Sequence, residues 1–200
     1  MKRSFWTAGF LVLSLSYMFA EEPIALPGEA IQPQLYKDAF NKEVPLCQRG
    51  YVTVLIGCTE NTQKPCRIAT RALDELRGLK NLKLVVVVDM RGSFGGFLPG
   101  LVRDQMRSDL KTESARLRPF YQKNGNSGDP LADVMVIPDF DGKACSELGW
   151  RGPLKKLCAV VFDPQCAEVR RWDSLEDYLD FQKIVRQSVG ATAEKANVMP

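Results

Sequence analysis

Tyr51-Val-Thr-Val-Leu-Ile-Gly57 and Leu82-Lys-Leu-Val-Val-Val-Val88 are two apolar, β-branched runs, the second closed by Asp89. Both are too short for helices and read as strands buried on two faces. Between them Ile68, Ala69, Ala72, Leu73, Leu76 and Leu79 recur at helical spacing, and Gly78 and Asn81 stand where a helix would end. Strand, helix and strand within about forty residues make a βαβ unit, and the handedness of such crossovers makes the two strands parallel neighbours.

Downstream, residues 91–100 form a glycine-rich loop at the carboxyl end of the second strand. A helix over Leu98–Leu110 carries Leu101, Val102, Met106 and Leu110 on one face, and residues 111–130 are polar and read as a surface excursion. Val134–Ile137 is a short strand ended by Pro138-Asp139, and Gly142–Gly149 allows one or two helical turns. Leu157–Phe162 is another strand, Asp163–Cys166 a hairpin turn, and Glu168–Trp172 the returning edge strand. In the last helix Asp173 is the expected cap with Glu176 three residues on, Leu175, Tyr178, Leu179, Ile184 and Val185 form the apolar face, and Gly190 closes it. The order β-α-β, an α-rich insertion, then β-β-α predicts a three-layer α/β domain with a mixed central sheet and flanking helices over residues 45–190, followed by a frayed tail, 191–200.

The chain begins Met1-Lys2-Arg3 and then runs uncharged from Ser4 to Ala20. That is a basic flank followed by an apolar stretch, the pattern of a secretory signal over residues 1–20. At about 1.5 Å per residue the stretch reaches roughly 25 Å, short of the roughly 30 Å hydrocarbon slab. Cleavage after Ala20 is expected, and contact with a membrane only if the segment stays attached. Residues 21–44, with Pro23, Pro27, Gly28 and Pro33, form an extended leader. A periplasmic or secreted location follows, and an oxidising compartment turns six cysteines into a disulfide framework or a thiol redox site.

Composition narrows the chemistry. Of 200 residues, 27 are Lys or Arg and 24 Asp or Glu; removal of residues 1–20 leaves 25 basic against 24 acidic. So small an excess predicts no nucleic-acid partner. The absence of histidine excludes Ser-His-Asp and Cys-His catalysis and every histidine-ligated metal site. Cysteine and carboxylate are left to carry any reaction, and no organic cofactor is expected.

Val52-Thr-Val-Leu-Ile-Gly57, then Pro65-Cys66-Arg67-Ile68-Ala69 continuing into Ala72-Leu73-Asp74-Glu75-Leu76, resembles the strand, redox cysteine and first helix of thioredoxins. Ala159-Val-Val-Phe-Asp163 with Glu168-Val-Arg-Arg-Trp172 is similar to their β-hairpin. The segment Gly95-Gly96-Phe97 through Val102-Arg103, with Val136-Ile137-Pro138-Asp139 and Asp141-Gly142-Lys143, resembles the exported YtfJ-type branch of that superfamily. The resemblance covers about residues 45–190 and implies thiol–disulfide or peroxide reduction with an external thiol donor. It departs from the pattern at two places: Gln63 stands where the first cysteine of a Cys-x-x-Cys pair belongs, and Leu157 where a cis-proline shapes the substrate groove. Thr62 stands four residues before Cys66, one further than a peroxiredoxin pattern requires.

Cys66 falls in the first turn of the predicted helix beside Lys64 and Arg67, a setting that lowers a thiol pKa. Cys58 ends the first strand, with Glu60 opposing its ionisation. In one reading Cys66 attacks and Cys58 or Cys158 resolves; in the other Cys58 and Cys66 are a permanent staple. The fold implied by the resemblance brings Cys47 to Cys166 and leaves Cys58, Cys66, Cys145 and Cys158 at or near the opposite end, Cys145 within reach of Cys158. A loop of about 120 residues closed by Cys47–Cys166 is worth about 4.9 kcal/mol and a loop of about nine residues about 2.6 kcal/mol in the chain-entropy picture, so the long bridge is the stabilising one.

The remaining candidates read as ordinary structure. Asp139, Asp141 and Glu147 lack the carboxylate run of a calcium loop and read as turn residues. Gly92, Gly95 and Gly96 match no phosphate-binding loop. Arg151, Lys155, Lys156, Arg170 and Arg171 read as a solvated basic face, and Trp150 as packing or a groove wall. Two functions from different classes remain: an exported thiol reductase using Cys66 with Cys58, and a disulfide-stapled, non-catalytic module whose partner is an envelope protein.

Overall fold

The computed structural model describes residues 34–93 and 98–198. The signal segment, the first part of the leader and the Gly95-Gly96-Phe97 portion of the resemblance lie outside the described residues.

A short hairpin, β1 (Leu35–Lys37) and β2 (Glu43–Pro45), precedes a five-stranded sheet of β3 (Val52–Cys58), β4 (Leu82–Asp89), β5 (Val134–Asp139), β6 (Cys158–Phe162) and β7 (Glu168–Trp172). The sheet order is β5-β4-β3-β6-β7, with β3, β4 and β5 parallel and β6 and β7 antiparallel to them. Every residue of β3 is buried, which is why its sequence is continuously apolar. On one face Val54, Ile56 and Cys58 pack with Cys66, Ala69 and Leu73 of the first helical region and with Phe181, Val185 and Val189 of the last helix. On the other face Leu55, Val85 and Val160 meet Cys145, Leu148 and Trp150, together with Val44 and Leu46 of the amino-terminal segment.

The helices are α1 (Gln63–Arg71), α2 (Pro99–Lys123), α3 (Lys143–Glu147) and α4 (Tyr178–Val198). Three depart from the sequence reading. The helix expected to run to Leu79 ends at Arg71 and passes into a tight turn at Asp74–Leu76. Gly78 explains the need: its φ is +86°, and a Cβ there would lie 2.8 Å from the Tyr121 Cα of α2. The segment expected as a polar excursion after Leu110 is helical to Lys123, because Leu110, Ser114, Leu117 and Tyr121 make a sparse buried stripe at helical spacing. Pro119 lies inside this helix on its exposed side. The last helix is capped by Asp177 rather than Asp173: Asp177 Oδ1 accepts the Leu179 and Asp180 N–H groups at 3.0 and 2.9 Å. It also continues through Gly190 to Val198, and Leu179 is exposed while Phe181 is buried.

The end of the leader belongs to the domain. Ala39 N–H donates to the Val136 carbonyl of edge strand β5 at 2.8 Å, and Tyr36 donates its hydroxyl to Glu147 of α3. At the far end of the sheet a disulfide joins Cys47 to Cys166, with Cα atoms 5.8 Å apart.

Candidate functional site

The carboxyl end of β3 and the amino-terminal part of α1 bring Cys58 and Cys66 together. They are separate thiols, not a disulfide. Thr59 and Thr62 tie the intervening turn, Thr59 N–H donating to Thr62 Oγ1 at 2.8 Å. The neighbouring Cys58 side chain lowers the Cys66 pKa, opposed by burial and helped by the Arg67 guanidinium. The Cys66 side chain, then burial, then the charges of Cys66, Cys145 and Asp89, drive Cys58 well above the ordinary thiol value. When the pair shares a single proton, Cys58 is therefore the sulfur that keeps it and Cys66 the one that carries the charge.

The other unpaired thiols are not part of this arrangement. Gly57 pairs with Cys158 across β3 and β6, so Cys158 faces the side of the sheet opposite Cys58, and Cys145 packs on that opposite side too. The expectation that Cys58 and Cys66 approach Cys158 is thereby corrected: neighbouring positions in register share a face, and Cys58 is one residue out of phase with Gly57. Burial and Asp173 push the Cys158 thiol to about 11, and burial with Asp139 pushes Cys145 up as well. Of the four unpaired cysteines, Cys66 is the one whose surroundings favour thiolate.

Asp89, at the carboxyl end of β4, organises the approach to this end of the sheet. It is buried, takes Arg91 Nε and Nη2 at 2.9 and 3.0 Å, and accepts the Leu154 N–H at 2.7 Å. Burial raises its pKa, but the Arg91 side chain and the two backbone N–H groups outweigh that and hold it below the usual carboxylate value. The result pins the segment that leads into Leu157, which is buried in the same cluster as Cys58 and Cys66. No peptide bond among the described residues is cis.

The other sequence candidates have structural roles. Asp139 accepts the Cys145 N–H at 2.8 Å, Asp141 pairs with Lys143 at 2.9 Å, and Glu147 accepts from Tyr36. Arg171 binds Glu168 and the Leu148 carbonyl, and Lys156 lies 3.8 Å from Glu176. Trp150 is buried against Gly57, as a packing residue.

Beside the thiol pair lies a cavity of about 820 Å³ between α1, α2 and the sheet, which sequence reading missed. The carboxyl-terminal half of α2 is seated by Leu117 and Tyr121, while its amino-terminal half has no buried residue before Leu110 and stands off the strands. Leu84, Val86, Val88, Val134 and Val136 form the floor, and Cys58 and Cys66 open onto one end. Arg77, 4% exposed, lines the other. Nothing in Asp74-Glu-Leu-Arg-Gly-Leu-Lys80 marks Arg77 as buried; its neighbours read as a solvated turn.

The mixed sheet, the parallel β-α-β start and the antiparallel terminal hairpin make this a thioredoxin-like fold. Solved structures agree. The exposed lipoprotein thioredoxin Etrx1 of Streptococcus pneumoniae superposes with a TM-score of 0.52 at 12% identity, over 78% of this chain and 99% of that one. A protein assigned as the thiol:disulfide interchange protein DsbE of Chlorobium tepidum gives 0.52 at 14% identity, over 83% and 96%. A peroxiredoxin-like protein of Aquifex aeolicus gives 0.51 at 16% identity, over 83% and 89%. No family profile and no curated protein matches the chain in sequence.

Proposed function

We propose that Cys66 and Cys58 form a dithiol–disulfide couple that reduces a disulfide or peroxide outside the cytoplasm. The observation that carries this reading is the placement of Cys58, at the end of β3, beside Cys66 in the amino-terminal part of α1, where the Cys66 pKa is lowered and the Cys58 pKa raised. With a disulfide substrate, the Cys66 thiolate attacks one sulfur and expels the other as a thiolate. Cys58 gives up its proton, attacks Cys66 and releases the second substrate thiol, so two electrons pass to the substrate and the protein is left as the Cys58–Cys66 disulfide. With a peroxide, Cys66 breaks the O–O bond and becomes a sulfenic acid with release of an alcohol or water, and Cys58 condenses with it, releasing water. An external dithiol returns the two electrons in either case. No cofactor is needed.

The uncharged Ser4–Ala20 segment and the Cys47–Cys166 bridge support export to an oxidising compartment, after cleavage of the segment. On the residues quoted above, the chain is assigned to the YtfJ-type branch. A second reading is favoured by Gln63 and Leu157, which stand where a general thioredoxin carries a cysteine and a cis-proline: a non-catalytic module that binds an envelope protein.

Differential alkylation in redox buffers, with non-reducing peptide mapping, separates the two. The reductase reading expects a reversible Cys58–Cys66 bridge with a potential above about −250 mV and loss of turnover with a dithiol donor in Cys66→Ser. The module reading stands if that bridge never forms and Cys66 fails to react with iodoacetamide at neutral pH.

A further inference from the structure

The cavity beside α1 has a polarity of its own. At its Arg77 end the wall carries Arg71, Arg77 and Arg116 against Asp74 and Glu113, an excess of positive charge. Both carboxylates there are taken by Arg116, whose Nη1 and Nη2 reach Asp74 at 2.6 and 2.8 Å and whose Nε reaches Glu113 at 3.0 Å. Arg77 lies beside Tyr121 and Asp133. Asp133 is occupied, accepting from Lys83 and, at 2.9 Å, from the Tyr121 hydroxyl. Arg77 Nη2 is buried with no hydrogen-bond partner among the described residues. A buried guanidinium with an unused donor is costly unless an acceptor arrives. The thiol end has the opposite balance: Glu60 and Asp109 stand against Arg67, which lies 3.8 Å from Asp109. The floor between the two ends is aliphatic, and the stretch from Leu84 to Val88 is roughly 13 Å long at about 3.3 Å per residue.

We propose that this cavity binds an amphiphile with a carboxylate head and a medium-length alkyl body, the head at Arg77 and the body lying over Val86 and Val136 toward Cys66. The volume, about 820 Å³, is of the size that holds small ligands. A guanidinium matches a carboxylate through paired N–H groups, and the negative excess at the thiol end turns the head away from it. Bound in this direction, the alkyl end covers the thiol pair. Binding itself stands apart from the redox reading, since it needs no electron transfer and is read without turnover.

The test is calorimetric titration of the full chain with dodecanoate, dodecanol and dodecyltrimethylammonium, each below its micelle concentration. One dodecanoate per chain is expected, bound about tenfold or more tightly than the other two, the worth of a charged hydrogen bond. Arg77→Met removes that preference and keeps the weaker binding of dodecanol; Val136→Trp, which fills the floor, abolishes both. Dodecanoate also slows alkylation of Cys66 in the native chain by about fivefold or more and has no such effect in Val136→Trp. The head-group comparison in the native chain decides the matter even if a variant fails to fold. Equal affinity for the three amphiphiles, or no dodecanoate bound, overturns the proposal. Binding unchanged in a folded Val136→Trp places the ligand elsewhere, for example on Ser4–Ala20, and overturns it as well.

Discussion

The indole of Trp150 occupies the space that a side chain at Gly57 would need: a Cβ on Gly57 would stand 2.4 Å from Trp150 Cζ3. This contact lies on the face of β3 opposite the thiol pair, in a cluster that includes Leu148, Val160 and Phe162. The central strand therefore tolerates no larger residue one position before Cys58. Gly57→Ala is expected to destabilise the fold by about 1–3 kcal/mol through overpacking against the buried Trp150 ring. Urea unfolding of the variant, followed by tryptophan fluorescence, measures it; an unchanged midpoint would contradict the contact.

The Cys47–Cys166 bridge spans 119 residues and closes the end of the sheet away from the thiols. Replacing both cysteines with serine should cost about 2–5 kcal/mol, mainly by freeing the unfolded chain. The redox behaviour of Cys58 and Cys66 should be left intact. Comparing urea midpoints with Cys66 alkylation rates in the same variant checks both halves of that expectation.

Alkylation of Cys66 should follow a titration centred below the ordinary thiol value, because the Cys58 thiol and then Arg67 favour its charged form. Cys58→Ala deletes the larger cause. The midpoint should rise, and the rate at pH 7 should fall by roughly three- to tenfold as the thiolate fraction drops. Iodoacetamide labelling read peptide by peptide keeps Cys145 and Cys158 out of the measurement. A midpoint that falls or stays put would mean that Cys58 does not hold the Cys66 charge.

Glu147 gives the fold a pH dependence of definite sign. Burial raises its carboxyl above 4.5, against the opposing hydrogen bond from Tyr36. A carboxyl whose folded value is raised favours the folded state fully below its unfolded pKa and loses that contribution as pH rises through the folded value. Glu147→Gln should flatten the stability profile between 4.5 and the raised value while other regions keep their slope. Urea midpoints at closely spaced pH values test this, and an identical profile in both proteins would refute it.

Asp89→Ala leaves Arg91 without its buried partner and frees the Leu154 N–H. A loss of about 3 kcal/mol is expected, typical of removing one member of a buried pair. Amide exchange should accelerate first in residues 152–156, the stretch that this carboxylate anchors to the sheet. Uniform acceleration across the sheet would instead mark a global effect.

The amino-acid pattern was sufficient for the five strands of the main sheet, the parallel pairing of the first two and the placing of Cys66 at the start of a helix, but not for the short hairpin of β1 and β2, which lay in the segment read as an extended leader. Continuous β-branched runs such as Val52–Ile56 and Leu84–Val88 have few alternatives, and a short crossover dictates how they pair. It was not sufficient for helix ends. Asp173, with Glu176 three residues on, fitted the capping pattern, yet it is Asp177 whose carboxylate accepts the Leu179 and Asp180 N–H groups. The polar look of residues 111–123 hid a helix whose stripe is only one residue wide.

What tertiary structure alone decided is which sulfur meets which, and where the hollow lies. Phase along a strand sends Cys58 to one side and Cys158 to the other, a distinction of a single residue that depends on the register of β3 with β6. The cavity and the buried Arg77 arise because α2 is seated only by its carboxyl-terminal half, where Gly78 lets Tyr121 approach. Local periodicity encodes elements; the space left between them depends on how distant side chains fit, and no window of sequence contains that sum.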